Sequence, residues 1–405
     1  MEQKFSEVFD INPKLKLNKN QKIDFVEMKN IESGKRSVVS EYKKEFKGSG
    51  SKFEKGDTLF ARITPCLENG KISRYDGPGT AFGSTEFIVI RGKEGITLSN
   101  FAYYYSTWEK FREFCIQNMI GSSGRQRVPV DALDNWIVSL PSLQEQKEIA
   151  DLLDSLDSKI ELNKKMNKTL EEIAKTLFKS WFIDFDPVRA KAEGRPTGLS
   201  KEISDLFPDS FENSELGEIP RGWKAGNLGT FIEPKRGKVI TKSKIKPGEV
   251  PVVAGGTKPP YYHSESNALA PIVTISASGT AGYVNIYYED IWASDCSYIN
   301  KEVTDFVFFA HSFLSINQER IYDLRHGAVQ QHVYPKDLIE LEMVTPPTSI
   351  IEDYENKVST FHERIKCNLE EIKTLQSLRD LLLPKLISGE LRITDAENLV
   401  EEAGI

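Results

Sequence analysis

LQEQKEIADLLDSLDSKIELNKKMNKTLEEIAKTLFKSWF, residues Leu143–Phe182, contains neither proline nor glycine. With Ile149 as an a position, the a sites are Ile149, Leu156, Asn163, Leu170 and Leu177. The d sites are Leu152, Lys159, Met166, Ile173 and Ser180, and Leu153 and Ile160 widen the apolar stripe. A 3.5-residue seam of this kind belongs to a helix that packs along a partner helix. At 1.5 Å per residue it would run about 60 Å, too long for an ordinary globular helix. Ser142 stands as its N-cap, with Glu145 at the capping-box position.

The pattern recurs 205 residues downstream. Gln126 aligns with Gln331, Val128 with Val333, Leu133 with Leu338, Pro141 with Pro346, Asn163 with Asn368 and Leu170 with Leu375. The chain is therefore a duplicated unit, a mixed domain followed by a long helix, twice over, and a repeat of this size decides the fold class. The reading is α+β: two mixed α/β domains in pseudo-two-fold repeat, separated by two long antiparallel coiled-coil helices. The boundaries are a first domain over 1–141, a first spacer helix over 142–183, a linker over 184–221, a second domain over 222–346, a second helix over 347–390, and a tail over 391–405. Strands are expected at KIDFVEMK, GDTLFARI, GKISRY and STEFIVIR, and again at VPVVAGG, PIVTISASG, AGYVNIYY and SYIN. Single helices are expected near Asn100–Met119 and Phe306–Tyr322.

Composition narrows the class. No apolar run is long enough to span a membrane, and the four cysteines (Cys66, Cys115, Cys296, Cys367) follow no ligand spacing, which suits reduced thiols in a cytoplasmic protein. The net charge of −7 is unevenly spread. Residues 1–140 carry 22 Lys+Arg against 18 Asp+Glu, whereas residues 141–215 carry 11 against 16. The acid sits on the helical parts and leaves the mixed domains neutral to basic.

Catalytic signatures are incomplete. KGSGSK (Lys47–Lys52) lacks the phosphate-loop spacing, and KPPYY (Lys258–Tyr262) puts a donor where an amino-methyltransferase loop needs a carbonyl acceptor. The positive signals are donors on loops. GSSGRQR offers Ser122, Ser123, Arg125, Gln126 and Arg127 on a flexible turn, and GAVQQHV offers Gln330 and Gln331 at the matching place. Lys35 and Arg36, Arg62, then Lys235, Arg236 and Lys238, and Lys258 complete the candidates for nucleic-acid contact. Asn163 and Asn368 fall at the midpoints of the two helices, where a two-fold axis would pair their amides and fix the helix register.

The chain resembles the specificity subunit of type I restriction-modification enzymes. The likeness rests on GDTLFARITPCLENGKI, GSTEFIVIR, GSSGRQRVPVDAL running into LPSLQEQKEIADLLDSLDSKI, FKSWFIDFDPVRAKAEGRP, LGEIPRGWK and LRDLLLPKLISGELRI. It implies two target-recognition domains, each reading one half of a split site in double-stranded DNA, with the helices setting their spacing. It implies no catalytic, cofactor or metal residue in this chain. S-adenosylmethionine would belong to two methyltransferase partner subunits, and ATP and Mg to motor-nuclease (restriction) partners. Two other classes are a coiled-coil scaffold without DNA contact and a degenerate methyltransferase or nuclease. S-adenosylmethionine binding and a salt-dependent DNA shift would separate them.

Overall fold

A computed structural model describes residues 2–327 and 329–404. The chain divides into two compact units: Met1–Asn163 with Glu371–Ile405, and Lys164–Glu370. The first long helix is continuous over Leu143–Phe182 and the second over Thr348–Ser388, so each helix contributes one half to each unit. The sequence division into domain and spacer thus gives way to units that each combine a mixed domain with two half-helices. A single amphipathic helix cannot bury its stripe without a neighbour.

In the first unit, a five-stranded sheet runs in the order Phe9–Ile11, Phe87–Gly92, Thr58–Ala61, Ile72–Tyr75, Ser37–Val38; all neighbours are antiparallel except the last pair. A four-stranded sheet orders Tyr42–Glu45, Lys22–Val26, Thr80–Gly83, Ser51–Glu54. The strand Gln3–Lys4 pairs with Ile137–Val138 just before the long helix. Ser142 and Glu145 close the expected capping box: the Ser142 N–H donates to Glu145 Oε2 at 2.9 Å, and the Glu145 N–H donates to Ser142 Oγ at 3.3 Å.

The second unit repeats these devices. Lys224–Asn227 pairs with the exit strand Glu342–Thr345. A four-stranded antiparallel sheet orders Lys235–Arg236, Cys296–Ile299, Ile272–Ser276, Val284–Tyr287. Each expected single helix is broken once. Ser99–Thr107 and Glu109–Gln117 meet at Trp108, whose extended ψ of 126° interrupts the spiral. Val307–Ile316 and Gln318–Asp323 meet at Asn317, whose Nδ2 donates to the Phe313 carbonyl.

Within both units the half-helices run antiparallel. In the first, Lys159 and Asn163 reach Glu371 while Asp157 reaches Arg379. In the second, Asn368 Nδ2 donates to Asn167 Oδ1 at 2.7 Å and the Tyr354 hydroxyl donates to the Ala174 carbonyl at 3.0 Å. The seam differs from the sequence reading by one residue in every second position. Leu153, Ile160, Asn167 and Ala174 are buried, whereas the supposed d site Ile173 is 45% exposed. The polar intruder Lys159 thereby leaves the seam, and Asn167 enters it.

Two stretches expected as linker and tail are packed. Helices Asp186–Ala192 and Lys201–Leu206 and the hairpin Phe211–Ser214/Gly217–Pro220 gather Phe185, Phe207 and Trp223 with Trp181 into the second core. The two buried aromatic side chains of this run, Phe185 and Phe207, bury more apolar surface than a free linker could leave in water. Helix Ile393–Glu402 sets Ala396 and Val400 into the first core.

Candidate nucleic-acid interface

Each mixed domain carries a loop closed by the same kind of backbone bridge. In the first unit Ile120 and Arg127 form a two-way backbone bridge around Gly121–Gln126. The Val128 N–H donates to the Arg62 carbonyl, and Thr64 holds the loop's exit: the Gln126 N–H donates to Thr64 Oγ1 at 2.9 Å and the Thr64 N–H donates to the Gln126 carbonyl at 3.0 Å. Gly121 at φ +125° provides the reversal, a conformation closed to L side chains. In the second unit His326 and His332 form the corresponding bridge, and the Val333 N–H donates to the Ala277 carbonyl as Val128 does to Arg62. One frame thus displays two different sets of donors.

Ser122, Ser123 and Arg125 are exposed at the first loop, and Gln330 and Gln331 at the second, beside a fully exposed Val329. Gln126 is half-buried, with its backbone pinned by Thr64. Arg127 is held: its Nε and Nη2 grip the Glu86 carboxylate at 2.7–3.0 Å, and that hydrogen-bonded partner raises the guanidinium's pKa. Arg127 therefore organises the loop through Glu86. Arg62 is half-buried beneath the same loop, and its Nε has no acceptor in the protein.

The remaining candidates divide. Lys35 is exposed and paired with Glu32 at 3.1 Å. Arg36 is a correction: its side chain is 11% exposed, with Nη1 on Asp154 at 2.9 Å and Nη2 on Glu161 at 3.1 Å. Burial works against its charge, but Glu161 and Asp154 outweigh it and the pKa is raised. A guanidinium spent on two carboxylates of the long helix is a structural tie and is not available to DNA. Lys235 pairs with Glu302, and Arg236 pairs with Asp295 while lying over the Tyr334 ring. The Ser278 hydroxyl donates to Asp295 as well, so Asp295 does for Arg236 what Glu86 does for Arg127. Lys238 and Lys258 are exposed.

The two central asparagines also differ from expectation. Asn163 Nδ2 donates to Glu371 Oε2 at 2.8 Å, and Asn368 Nδ2 donates to Asn167 Oδ1 at 2.7 Å. The shifted seam supplies a carboxylate for one amide, a stronger acceptor than a neutral amide, and a second asparagine for the other. Glu86, Thr64, Asp295 and Asn167 escaped the sequence reading because each acts through a partner distant in sequence. Tyr261 and Tyr262, set aside there with KPPYY, are exposed, with Lys242 over the Tyr261 ring. Such aromatic–cation surfaces suit contact with bases or sugars.

Among the described residues, no group of His, Cys, Asp and Glu could hold a metal ion, and no helix is long and apolar enough to cross a membrane.

Comparison with known proteins gives a consistent answer. The family described as "Type I restriction modification DNA specificity domain" matches residues 1–172 and 220–374. The HindI specificity subunit of Haemophilus influenzae, a type I restriction enzyme component, is 27% identical across 86% of this chain and 89% of its own length. The MjaIX specificity subunit of Methanocaldococcus jannaschii is 27% identical across 90% and 84%. The crystal structure of a type I restriction-modification S subunit from M. genitalium superposes with a TM-score of 0.58 at 14% identity, covering 95% of both chains, and so shares the fold.

Proposed function

The chain belongs to the type I restriction-modification DNA specificity family, and from that premise we propose that it is the non-catalytic subunit that reads a bipartite site in double-stranded DNA. Each unit reads one half-site. Two methyltransferase subunits that use S-adenosylmethionine dock on this chain and methylate adenine, and restriction subunits that use ATP and Mg join them, in the cytoplasm.

The observation that carries this reading is the duplicated closed loop: the same backbone bridges and the same strand-end anchor, bearing Ser, Arg and Gln in one copy and two Gln in the other. A shared bridge and strand-end anchor with different donors suits two different half-sites. Arginine favours guanine O6/N7 and glutamine favours adenine N6/N7, while Lys238, Lys258 and Lys35 supply phosphate contacts that set register without sequence. Because catalysis on a base inside a duplex requires flipping it out, this chain's part is to grip the flanks while a partner subunit performs the chemistry.

The test is a gel shift of the reconstituted complex of this chain with its methyltransferase subunits on its methylated sequence. Specific binding should weaken steeply with salt, and Gln126→Ala should relax one position of one half-site. Salt-independent binding without sequence preference would refute the reading.

A further inference from the structure

Charge collects without compensation along one edge of the first unit. Residues 12–22 carry Lys14, Lys16, Lys19 and Lys22 with no acid, and residues 43–52 carry Lys43, Lys44, Lys47 and Lys52 with Glu45 alone. The fold brings the two stretches together. Strand Tyr42–Glu45 is an outer strand of the four-stranded sheet and pairs antiparallel with Lys22–Val26. The pairing continues beyond the strands, where the Asn20 N–H donates to the Phe46 carbonyl and the Phe46 N–H to the Gln21 carbonyl, each at 2.9 Å. Lys52 Nζ donates to the Leu15 carbonyl at 3.1 Å and ties the first stretch to the second. Around that tie Pro13, Leu15 and Leu17 are half-buried while Lys14 and Lys16 are exposed, the alternation of an extended chain on a packed surface. Gly48, at φ +99°, leaves room for Lys19: a Cβ there would stand 3.0 Å from Lys19 Cε.

Lysines on an outer strand have an ordinary use, which is to keep the unpaired edge from joining another sheet. That accounts for Lys43 and Lys44. It does not account for Lys14, Lys16, Lys19 and Lys47, which lie outside the strands. Nor are the charges neutralised internally. Among the described residues, none of these lysines other than Lys52 has a side-chain hydrogen bond, and none forms an ion pair, whereas Lys29 and Lys35 of the same domain both do. Like charges gathered in this way repel one another, and a polyanion relieves the repulsion. The second unit has the same strand arrangement, with Val250–Val253 antiparallel to Tyr261–His263 and parallel to Trp292–Ala293, as Lys22–Val26 is to Tyr42–Glu45 and Thr80–Gly83. Its corresponding strand presents Tyr261 and Tyr262 and no lysine. The lysine edge is a feature of the first unit.

Composition selects the partner. Protein interfaces are depleted in lysine, and a fixed carboxylate is better met by the arginine fork, which neither stretch contains. Flexible ammonium groups in series suit phosphates, whose contacts position a duplex without reading it. We propose that this edge grips the phosphate backbone of duplex DNA independently of sequence, adding affinity at the first unit that the second unit does not match. The inference rests on the function proposed above, in that the first unit holds DNA.

The experiment uses the full chain assembled with its methyltransferase subunits. Equilibrium binding is measured over a range of salt on two duplexes, one with the methylated target and one without it. The test variant carries Lys14→Gln, Lys16→Gln, Lys19→Gln and Lys47→Gln. Each lysine that meets a phosphate contributes about 0.9 to the slope of log affinity against log salt, so the slope should become shallower by about 3.6. At low salt both duplexes should lose affinity by the same factor, roughly tenfold or more, while the methylated sequence stays the same. Lys14→Arg, Lys16→Arg, Lys19→Arg and Lys47→Arg together keep the charge and should keep the slope. Should the glutamine variant shift the urea transition of the first unit, Lys14→Gln with Lys16→Gln takes its place, with an expected change of about 1.8. An unchanged slope overturns the proposal, as does a loss confined to the target duplex, which would make these lysines readers of sequence. A glutamine variant that no longer assembles with the methyltransferase subunits assigns the edge to an acidic protein surface and overturns it too. A wild-type complex with no preference for its target counts against the function proposed above; a clear preference with an unchanged slope in the variant counts against this edge alone.

Discussion

Replacing Asp157 by alanine removes the central carboxylate of the first unit's helix pair. Its side chain is 5% exposed, accepts from Arg379 Nη1 at 2.7 Å, and accepts from the Tyr104 hydroxyl at 3.0 Å. Tyr104 keeps Asp154 at 2.8 Å, but Arg379, 17% exposed, keeps only the exposed Asp380. Removing one partner of a buried pair costs ~3–5 kcal/mol because the other charge stays buried. The surviving Asp380 contact and partial hydration of Arg379 place the loss at the lower end, about 3 kcal/mol. With a urea m-value of about 3 kcal/mol/M, the midpoint of the first unit's transition should fall by about 1 M. Equilibrium unfolding monitored by indole fluorescence gives the number, and Arg379→Ala combined with Asp157→Ala isolates the pair. The double variant should recover part of the loss, with a coupling of about 2 kcal/mol. A midpoint unmoved by Asp157→Ala, or strictly additive single losses, would refute the view that this ion pair ties the two half-helices together.

Further outcomes follow from other contacts. Arg36→Gln should destabilise the first unit by roughly 3 kcal/mol and leave the methylated sequence unchanged, whereas Gln126→Ala should leave stability intact and cost roughly 1–3 kcal/mol of binding at one position; methylation-sensitive sequencing beside urea unfolding separates the two. Asn167→Ala strands the fully buried Asn368 amide and should cost about 1–3 kcal/mol, read in the second unit's transition. The second unit should also lose stability on acidification. Burial lowers His362 to about 4; burial, then the neighbouring His362 and Lys175, lowers His311 to about 3. Their contribution is full above the ordinary histidine value of 6.5 and drains away as pH falls below it. Glu355 opposes them: burial raises it to about 7, against N–H donation from Phe308 and Phe309, so its contribution is full below 4.5 and is lost as pH rises through 7. Glu355→Gln should therefore steepen the loss between pH 7 and 4.5, and an unchanged slope would show that Glu355 takes up no proton in the folded state.

The long helices were legible in the sequence because forty residues without a breaker leave little alternative, and the duplication was legible because its matches run through loops as well as helices. The seam frame was not. Ile149, Leu152 and Leu153 satisfy two registers equally well on paper, and only the partner helix decides between Leu152 and Leu153. The packing of residues 184–221 was hidden for a related reason: prolines, glycines and charges mark a linker by composition, while Phe207 finds its burial against Trp181, and Phe185 against Trp223, only in three dimensions. At the candidate interface, loop position exposed the donors, but nothing local tells a free arginine from a committed one. Arg36 and Arg125 look alike in sequence, and Asp154 and Glu161 lie more than a hundred residues from Arg36.

The central claim is that each unit reads its own half of a split DNA site. The direct measurement exchanges residues 1–140 for the corresponding domain of a relative with a different target, and maps methylated adenines genome-wide by single-molecule sequencing. One half of the target should change to the donor's while the other half stays fixed. A target altered in both halves, or in neither, would contradict it.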